Sequence, residues 1–254
     1  MSASPRGRAV GIIGTGRVGS VLAAALADAG HPVVTGRPDD ITIIAVPDDA
    51  LASVVAGLGP ANVVAHTSGA YGLRVLEPAV ARGARPLALH PAMTFTGRPE
   101  DLARLRKGIS FGVTAPPDVR PLAEELVREL GGTPEWIADE HRALYHAALA
   151  HGANHLVTLV NDALDALRAA GVTRPEKVLD PLVHAALDNA LRLGDAALTG
   201  PVSRGDAQTV AAHLAALPAG VRPAYRAMAR RTAQRAVAAG RLTAAQAAPI
   251  EELT

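Results

Sequence analysis

Through the first half of the chain short apolar runs alternate with Ala- and Leu-rich stretches. In the second half only the helical pattern continues. Ala9–Ile13 is an apolar run of the kind that a strand buried on both faces presents. Gly14-Thr15-Gly16-Arg17-Val18-Gly19 follows it, and Ser20–Ala27 reads as a helix. After a stop at Gly30-His31, Pro32–Thr35 predicts a second strand and Ile41–Pro47 a third. A crossover helix between parallel strands needs about ten residues or more. The interval from Thr35 to Ile41 is too short, so that helix and the edge strand that ordinarily follows it are predicted to be missing. The pattern then predicts a helix capped by Asp48 or Asp49 and running to Leu58, a strand over Asn62–His66 and a helix over Gly72–Arg82. Strands over Arg85–Leu89 and Ile109–Thr114, a helix over Pro117–Leu130 and a strand over Thr133–Ile137 complete it. Such alternation means an α/β fold with a doubly wound, mostly parallel sheet, whose ligands bind at the carboxyl ends of the strands.

From Ala138 onward the pattern is all-helical, broken at Gly171, Thr199-Gly200-Pro201, Pro218-Ala219-Gly220 and Gly240. The expected organisation is a dinucleotide-binding domain over residues 1–137 and a helical substrate and dimerisation domain over residues 138–254. A first long helix is predicted from Asp139 to Ala170. At about 100° per residue Leu149, Leu156, Val157, Val160, Leu164 and Leu167 share one sector, with His146, Asn154 and Asn161 on a polar strip at its edge.

Composition narrows the chemistry. Aromatic residues are only 2% of the chain, which leaves little to stack on nucleobases, and a net charge of +1 gives no reason to expect nucleic acid or a membrane surface. Without cysteine there is no thiolate catalysis, disulfide or Cys–zinc site, and no metal is expected. No apolar run has the length of a membrane span. The segment Met1–Arg8 lacks the apolar core of a signal peptide, so a cytoplasmic protein is the expectation.

The glycine motif between a strand and a helix is the arrangement that binds a dinucleotide. Its glycines permit a tight turn, close approach of backbone to pyrophosphate and helix–strand contact, and the helix N-terminus supplies N–H groups and positive dipole. NAD-specific versions end the second strand in an acid that holds the ribose hydroxyls. Here the strand ends in Thr35-Gly36-Arg37, and a guanidinium suits a 2′-phosphate, so NADP is expected rather than NAD. Later strands end in Val46-Pro47, His66-Thr67-Ser68-Gly69 and His90-Pro91. In the helical half Thr199-Gly200-Pro201-Val202-Ser203-Arg204-Gly205-Asp206 leads into a helix, with Ser203 or Asp206 able to cap it and Arg204 suited to a carboxylate.

Together the glycine motif, the AVPD strand end, HTSGA, LHP, the YH…N helix and GPVSRGD resemble Rossmann-like oxidoreductases of the 6-phosphogluconate dehydrogenase-like superfamily. The group resembled has a helical C-terminal domain of unknown function and includes a second type of ketopantoate reductase. The resemblance covers essentially the whole chain. It implies that Gly14, Thr15, Gly16, Arg17, Val18 and Gly19 hold the cofactor pyrophosphate, Arg37 the 2′-phosphate, and Val46 and Pro47 the ribose and nicotinamide. It implies a substrate carboxylate on Thr67, Ser68 and Gly69, an orienting role for Asn154, and a homodimer. The superfamily's catalytic lysine, four residues before that Asn, is Ala150 here, and the chain has only Lys107 and Lys177. Histidine then becomes the candidate proton donor, His146 first and His66 and His90 after it, with Asn161 and Arg204 as substrate contacts. The expected function is NADPH-dependent reduction of a C=O next to a carboxylate, with 2-dehydropantoate as leading substrate. An imine reductase resembling pyrroline-5-carboxylate reductase and a non-catalytic NADP-binding protein are the alternatives.

Overall fold

The computed structural model describes residues 7–36 and 39–254. The chain divides into two compact units, Met1–Ala153 and Asn154–Thr254.

The first unit is built on seven strands: β1 (Val10–Ile13), β2 (Val33–Thr35), β3 (Ile41–Ile44), β4 (Val63–His66), β5 (Arg85–Pro91), β6 (Ser110–Thr114) and β7 (Thr133–Trp136). Their order across the sheet is β2-β1-β3-β4-β5-β6-β7. Strands β1 to β5 are all parallel, β6 is antiparallel to β5, and β7 is parallel to β6. Helices α1 (Arg17–Asp28), α2 (Asp48–Ala56), α3 (Glu77–Val80), α4 (Glu100–Arg106) and α5 (Arg120–Glu129) connect them. Ile12, Ile43, Ala65, Leu87 and Leu89 are fully buried in one apolar cluster with Leu22 and Leu26 of α1 and Leu126 of α5. Val64 and Ile44 join α2 residues Leu51 and Val55 in a second cluster.

β2 and β3 both flank β1, with no helix between them among the described residues. The short interval after Thr35 therefore has the consequence expected of it, and β2 is the edge of the sheet.

Local details differ from expectation for identifiable reasons. Neither Asp48 nor Asp49 caps α2: Pro47 holds the cap position, and both carboxylates lie in the first turn, where the helix dipole favours them. The stretch expected as one helix over Gly72–Arg82 is a 3-10 turn, Leu73–Leu76, followed by the single turn of α3, with Pro78 at its start. Helix α4 was not anticipated. Its carboxylate Asp101 is fully buried and accepts from the Thr96 and Gly97 amides at 2.7 and 2.8 Å, which ties the 94–99 loop to the helix. The connection through α4 also brings β6 in from the same end of the sheet at which β5 finishes, which is why that pair is antiparallel.

The predicted helix over Asp139–Ala170 is divided. A 3-10 turn at Asp139–His141 leads into α6 (Arg142–Leu149), a π-helical turn spans Ala150–Asn154, and α7 covers His155–Ala169. The extra residue of an i→i+5 turn breaks the angular phase on which the shared strip of His146 with Asn154 and Asn161 was drawn.

The second unit adds α8 (Pro175–Leu193), α9 (Ala207–Ala216), α10 (Arg222–Ala238) and α11 (Ala244–Leu253). Its core is formed by α9, α10 and α11, through Val210, Leu214, Ala233, Ala236, Ala247 and Ile250. Alanines at the contact positions allow close helix approach in a chain with few aromatics. No helix among the described residues is long and apolar enough to cross a membrane.

Packing leaves no spare room at Gly14 and Gly19 of the glycine loop. A Cβ on Gly19 would overlap the Gly14 carbonyl oxygen, and one on Gly14, whose φ is 101°, would overlap the Ala45 carbonyl. Both neighbours are backbone and cannot rotate away. Gly19→Ala is expected to cost about 1–3 kcal/mol, as overpacking of a filled site does. Urea denaturation measures it, and an unchanged midpoint would show that α1 is not held against the loop in this way.

Candidate active site

The glycine loop is shaped for an anion. Gly16 holds the N-cap of α1 in extended conformation, and no atom lies within 4 Å of where its side chain would project. Thr15, Gly16 and Arg17 are exposed, Val18 is half-buried, and only Gly19 is packed away. First-turn N–H groups of a helix have no intrahelical partners, so α1 presents free donors and the positive end of its dipole to this open space. A pyrophosphate fits here on charge and on room. Arg17 lies over the 95–97 loop, its Nη1 3.4 Å from the Phe95 carbonyl oxygen. Val46 is half-buried and Pro47 exposed just past the end of β3. Arg37 lies outside the described residues.

Beyond β4 and β5 the structure brings together residues from four segments around one buried side chain. Arg142, the first residue of α6, is 1% exposed. Its Nη2 donates to the Ser68 carbonyl at 2.6 Å, and its Nη1 to the Gly112 carbonyl and the Thr114 hydroxyl, each at 3.2 Å. The guanidinium thus ties the HTSGA loop to β6 across the end of β5. Burial pulls its pKa down, against which the Tyr145 phenol and the Asp139 carboxylate act. Its Nε, like Nδ1 of His66, is buried without a hydrogen-bond partner among the described residues.

His90, at the end of β5, lies under this cation. Its Nδ1 is 2.9 Å from the Tyr145 hydroxyl, and the two rings meet edge to face at 5.6 Å. The His146 ring stands edge-on to it at 6.2 Å. Gly69 makes room for both: a Cβ there would be 2.7 Å from His146 Cδ2 and 3.0 Å from His90 Nε2. Gly112 has the same role on β6, where a Cβ would be 2.5 Å from the Tyr145 hydroxyl.

His66 is fully buried, and its Nε2 donates to the Gly72 carbonyl at 3.1 Å. That bond fixes the 66–72 loop and turns the ring away from solvent. Ser68 Oγ accepts from the Ala70 and Tyr71 amides, each at 3.2 Å, so this hydroxyl shapes the loop, while Thr67 is half-buried. Asp139 Oδ1 accepts from the Leu73 amide at 2.6 Å at the other side of the same loop.

The second unit carries the remaining expected residues. Asn154 and Asn161 are exposed. In the GPVSRGD segment Ser203 is buried and donates to the Gly200 carbonyl at 3.1 Å, Gly205 adopts a φ of 75°, and Asp206 caps α9 by accepting from the Thr209 amide at 3.0 Å. Arg204 is the exposed residue of that turn.

Arg142 and Tyr145 were not expected to line the site. Tyr145 stands beside His146 in the YH pair, and the signal that it matters is the glycine opposite it on β6. Arg142 has no comparable signal, because its carbonyl partners are distant in sequence.

Residues 109–232 match the model of a domain of unknown function, DUF2520, and residues 34–91 match a Rossmann-like domain. No curated protein matches the chain. Several solved structures share its fold. BF3122 from Bacteroides fragilis, assigned as an NADP oxidoreductase, superposes with a TM-score of 0.74 at 19% identity, over 89% of this chain and 98% of that one. Protein TM1727 from Thermotoga maritima does so with a TM-score of 0.72 at 21% identity, over 91% and 100%. A reductive aminase from Aspergillus terreus, in complex with NADPH and ethyl levulinate, gives 0.68 at 16%, over 97% and 99%. The architecture is therefore a Rossmann-like sheet followed by a helical region, with the DUF2520 match running from β6 into α10, and it shares the fold of these solved structures.

Burial, reinforced by the Arg142 charge, pushes both His66 and His90 down to about 4. The bond to the Gly72 carbonyl works against this at His66, and His146 adds to it at His90. The folded protein keeps both rings neutral, whereas the unfolded chain protonates them near pH 6.5. Stability is then complete above about pH 6.5 and falls as pH drops toward 4. By pH 5 the loss is on the order of 2 kcal/mol per ring. Urea midpoints at pH 7 and pH 5 check this, with His90→Gln expected to flatten the difference. Equal midpoints for the wild type would show that the rings are solvated.

Proposed function

We propose that this chain is an NADPH-dependent reductase that adds hydride to a C=O next to a carboxylate, with 2-dehydropantoate as its leading substrate. One observation carries the reading: a single unit holds both an anion cradle at α1 and a histidine–tyrosine cluster at neighbouring strand ends. The likeness to NADP oxidoreductase-like structures supports the cofactor, and the resemblance in HTSGA and GPVSRGD supports the substrate class. The nicotinamide, when bound, supplies the hydride. Gly14, Thr15, Gly16, Arg17, Val18 and Gly19 would hold the pyrophosphate, Arg37 the 2′-phosphate, and Val46 and Pro47 the ribose and nicotinamide. Residues 1–137 would be a dinucleotide-binding domain and residues 138–254 the substrate and dimerisation domain, with α6 belonging to the first compact unit.

Thr67, Ser68 and Gly69 would receive the carboxylate; among the residues of the second unit, Asn154, Asn161 and Arg204 would be substrate contacts, Asn154 orienting the carbonyl oxygen. The proton comes from the histidines at Gly69, His90 and His146. His66, fully buried and bonded to Gly72, serves the loop. Imine reduction is the second reading, favoured by the neutrality of His66 and His90, since a protonated imine needs no acid. NADPH oxidation with a panel of 2-keto acids and cyclic imines separates the two, and NADPH binding without turnover would identify a non-catalytic protein. Arg204→Ala is expected to raise KM strongly. Asn154→Ala is expected to lower kcat by about 10²–10³, as loss of an oxyanion donor does.

Arg37 gives the cofactor preference. One charge-assisted contact is worth about 1.5–3 kcal/mol, so NADPH is expected to bind at least about tenfold more tightly than NADH. Titration of both cofactors against wild type and Arg37→Ala measures it, and an unchanged ratio in the variant would assign the preference elsewhere, with Arg17 first.

The active form is a homodimer in this reading. No residue of α7 is buried within the chain, and on α8 Leu187 and Leu191, one turn apart on the same face, are 46% and 80% exposed. Large apolar side chains exposed together mark an interface, and a second copy of the chain covers them. Light scattering is expected to give twice the chain mass for the wild type and the single-chain mass for the Leu187→Glu/Leu191→Glu variant. A monomeric wild type would overturn this.

A further inference from the structure

We propose that the amino-terminal end of the sheet carries a second binding site, which takes a small aliphatic α-amino acid between Arg85 and Asp118. It lies at the opposite ends of the strands from the candidate active site and does not depend on the reductase reading.

A cavity of about 390 Å³ opens there, and ligand pockets run from about 300 to 1,000 Å³. Its floor is one row of the sheet. Val10, Ile41, Val63 and Arg85 are successive register partners on β1, β3, β4 and β5. Partners in a parallel sheet project to the same face. Val10, Ile41 and Val63 belong to the apolar cluster that also holds Ala123 and Leu126 of α5. Leu87 and Leu89, which share a face with Arg85 on β5, belong to it as well. Arg85 therefore points to the α5 side, where it puts a cation at the end of an otherwise apolar row. With Ile41 and Val63 it lines the cavity, and Pro121 and Leu122 of α5 form the facing wall.

The charges around the cavity define what fits. Arg8 Nη1 donates to Glu125 Oε2 at 2.8 Å, so these two cancel, and Asp40 Oδ1 accepts from Asn62 Nδ2 at 3.0 Å. The side chains of Arg85 and Asp118 make no hydrogen bond or ion pair among the described residues. Asp118 does not cap α5 either, because Val119 holds the cap position and no side chain bonds there. The topology brings the two to one end of the sheet. Strand β6 runs antiparallel to β5, so the chain leaving Thr114 returns toward the start of β5, where Arg85 stands.

Opposite charges that line one cavity without pairing with each other leave two complementary positions. The guanidinium fork takes a carboxylate through parallel N–H···O bonds. Asp118 takes an ammonium, which has three donors and no acceptor. Asp40 leaves the lining with one negative charge in excess, which disfavours a phosphate or a dicarboxylate and favours a ligand that brings its own cation. The aliphatic side chain rests on Pro121 and Leu122. A zwitterion with an apolar tail meets all three demands, and a simple anion or a simple amine meets two.

Isothermal titration calorimetry of the full chain with three probes tests the site. L-leucine carries both charges, isocaproate the carboxylate alone and isoamylamine the ammonium alone. L-leucine is expected to bind at least about tenfold more tightly than either, the effect of one charge-assisted contact. Arg85→Gln is expected to bring L-leucine down to the level of isoamylamine, and Asp118→Asn to the level of isocaproate. Both side chains are exposed, so both variants are expected to keep the wild-type urea midpoint. Amide shifts on adding L-leucine to the wild type are expected at Ile41, Val63 and Leu122 and not at Gly14–Gly19. No heat from L-leucine at millimolar concentration would overturn the site. So would isocaproate binding as tightly as L-leucine, wild-type affinity in both variants, or shifts confined to the carboxyl ends of the strands. None of these readouts uses NADPH turnover, so failure of the reductase reading would leave the site standing.

Discussion

A single buried cation organises the chemical end of the sheet. Arg142 has carbonyl and hydroxyl oxygens rather than a carboxylate as its hydrogen-bond partners, and these come from the HTSGA loop and from β6. Removing a guanidinium from water is costly, and such a group persists only where fixed dipoles replace its hydration. The return is geometric and electrostatic. The loop after β4 is fastened across the end of β5, and the histidines beneath it are kept neutral. Losing Arg142 would release both effects together, because one guanidinium makes all the contacts.

This arrangement depends in turn on glycines used for space rather than for conformation. Gly14 has a positive φ, but Gly69 and Gly112 do not. Their lack of a side chain lets two imidazoles and a phenol approach the backbone. The cradle at α1 and the cluster at β4 and β5 are thus made by the same means, room left beside the main chain at the carboxyl ends of parallel strands. One opening suits an anion and the other suits a proton donor.

Much of the architecture can be read from residues alone, because each β-strand of the parallel half is a short apolar run closed by glycine, proline or a polar residue. The missing crossover helix could be inferred from the few residues between Thr35 and Ile41. Helix α4 is not legible in the same way, because its organising contact is the buried carboxylate of Asp101, which in sequence looks like a solvated charge. The π-helical turn at Ala150–Asn154 is likewise invisible to a rule of constant angle per residue. His66, His90, Ser68 and Gly69 stood out as polar or small residues where strands end. Arg142 did not, since its partners at Ser68 and Gly112 become neighbours only once the sheet has formed.

The central claim is that the strand-end cluster and the glycine cradle serve one bound dinucleotide. Intermolecular nuclear Overhauser effects between the nicotinamide C4 protons of NADPH and the labelled histidine rings test it directly. The account predicts cross-peaks to His90 and His146 and none to His66. Saturating NADPH that shows no contact with either ring would contradict it.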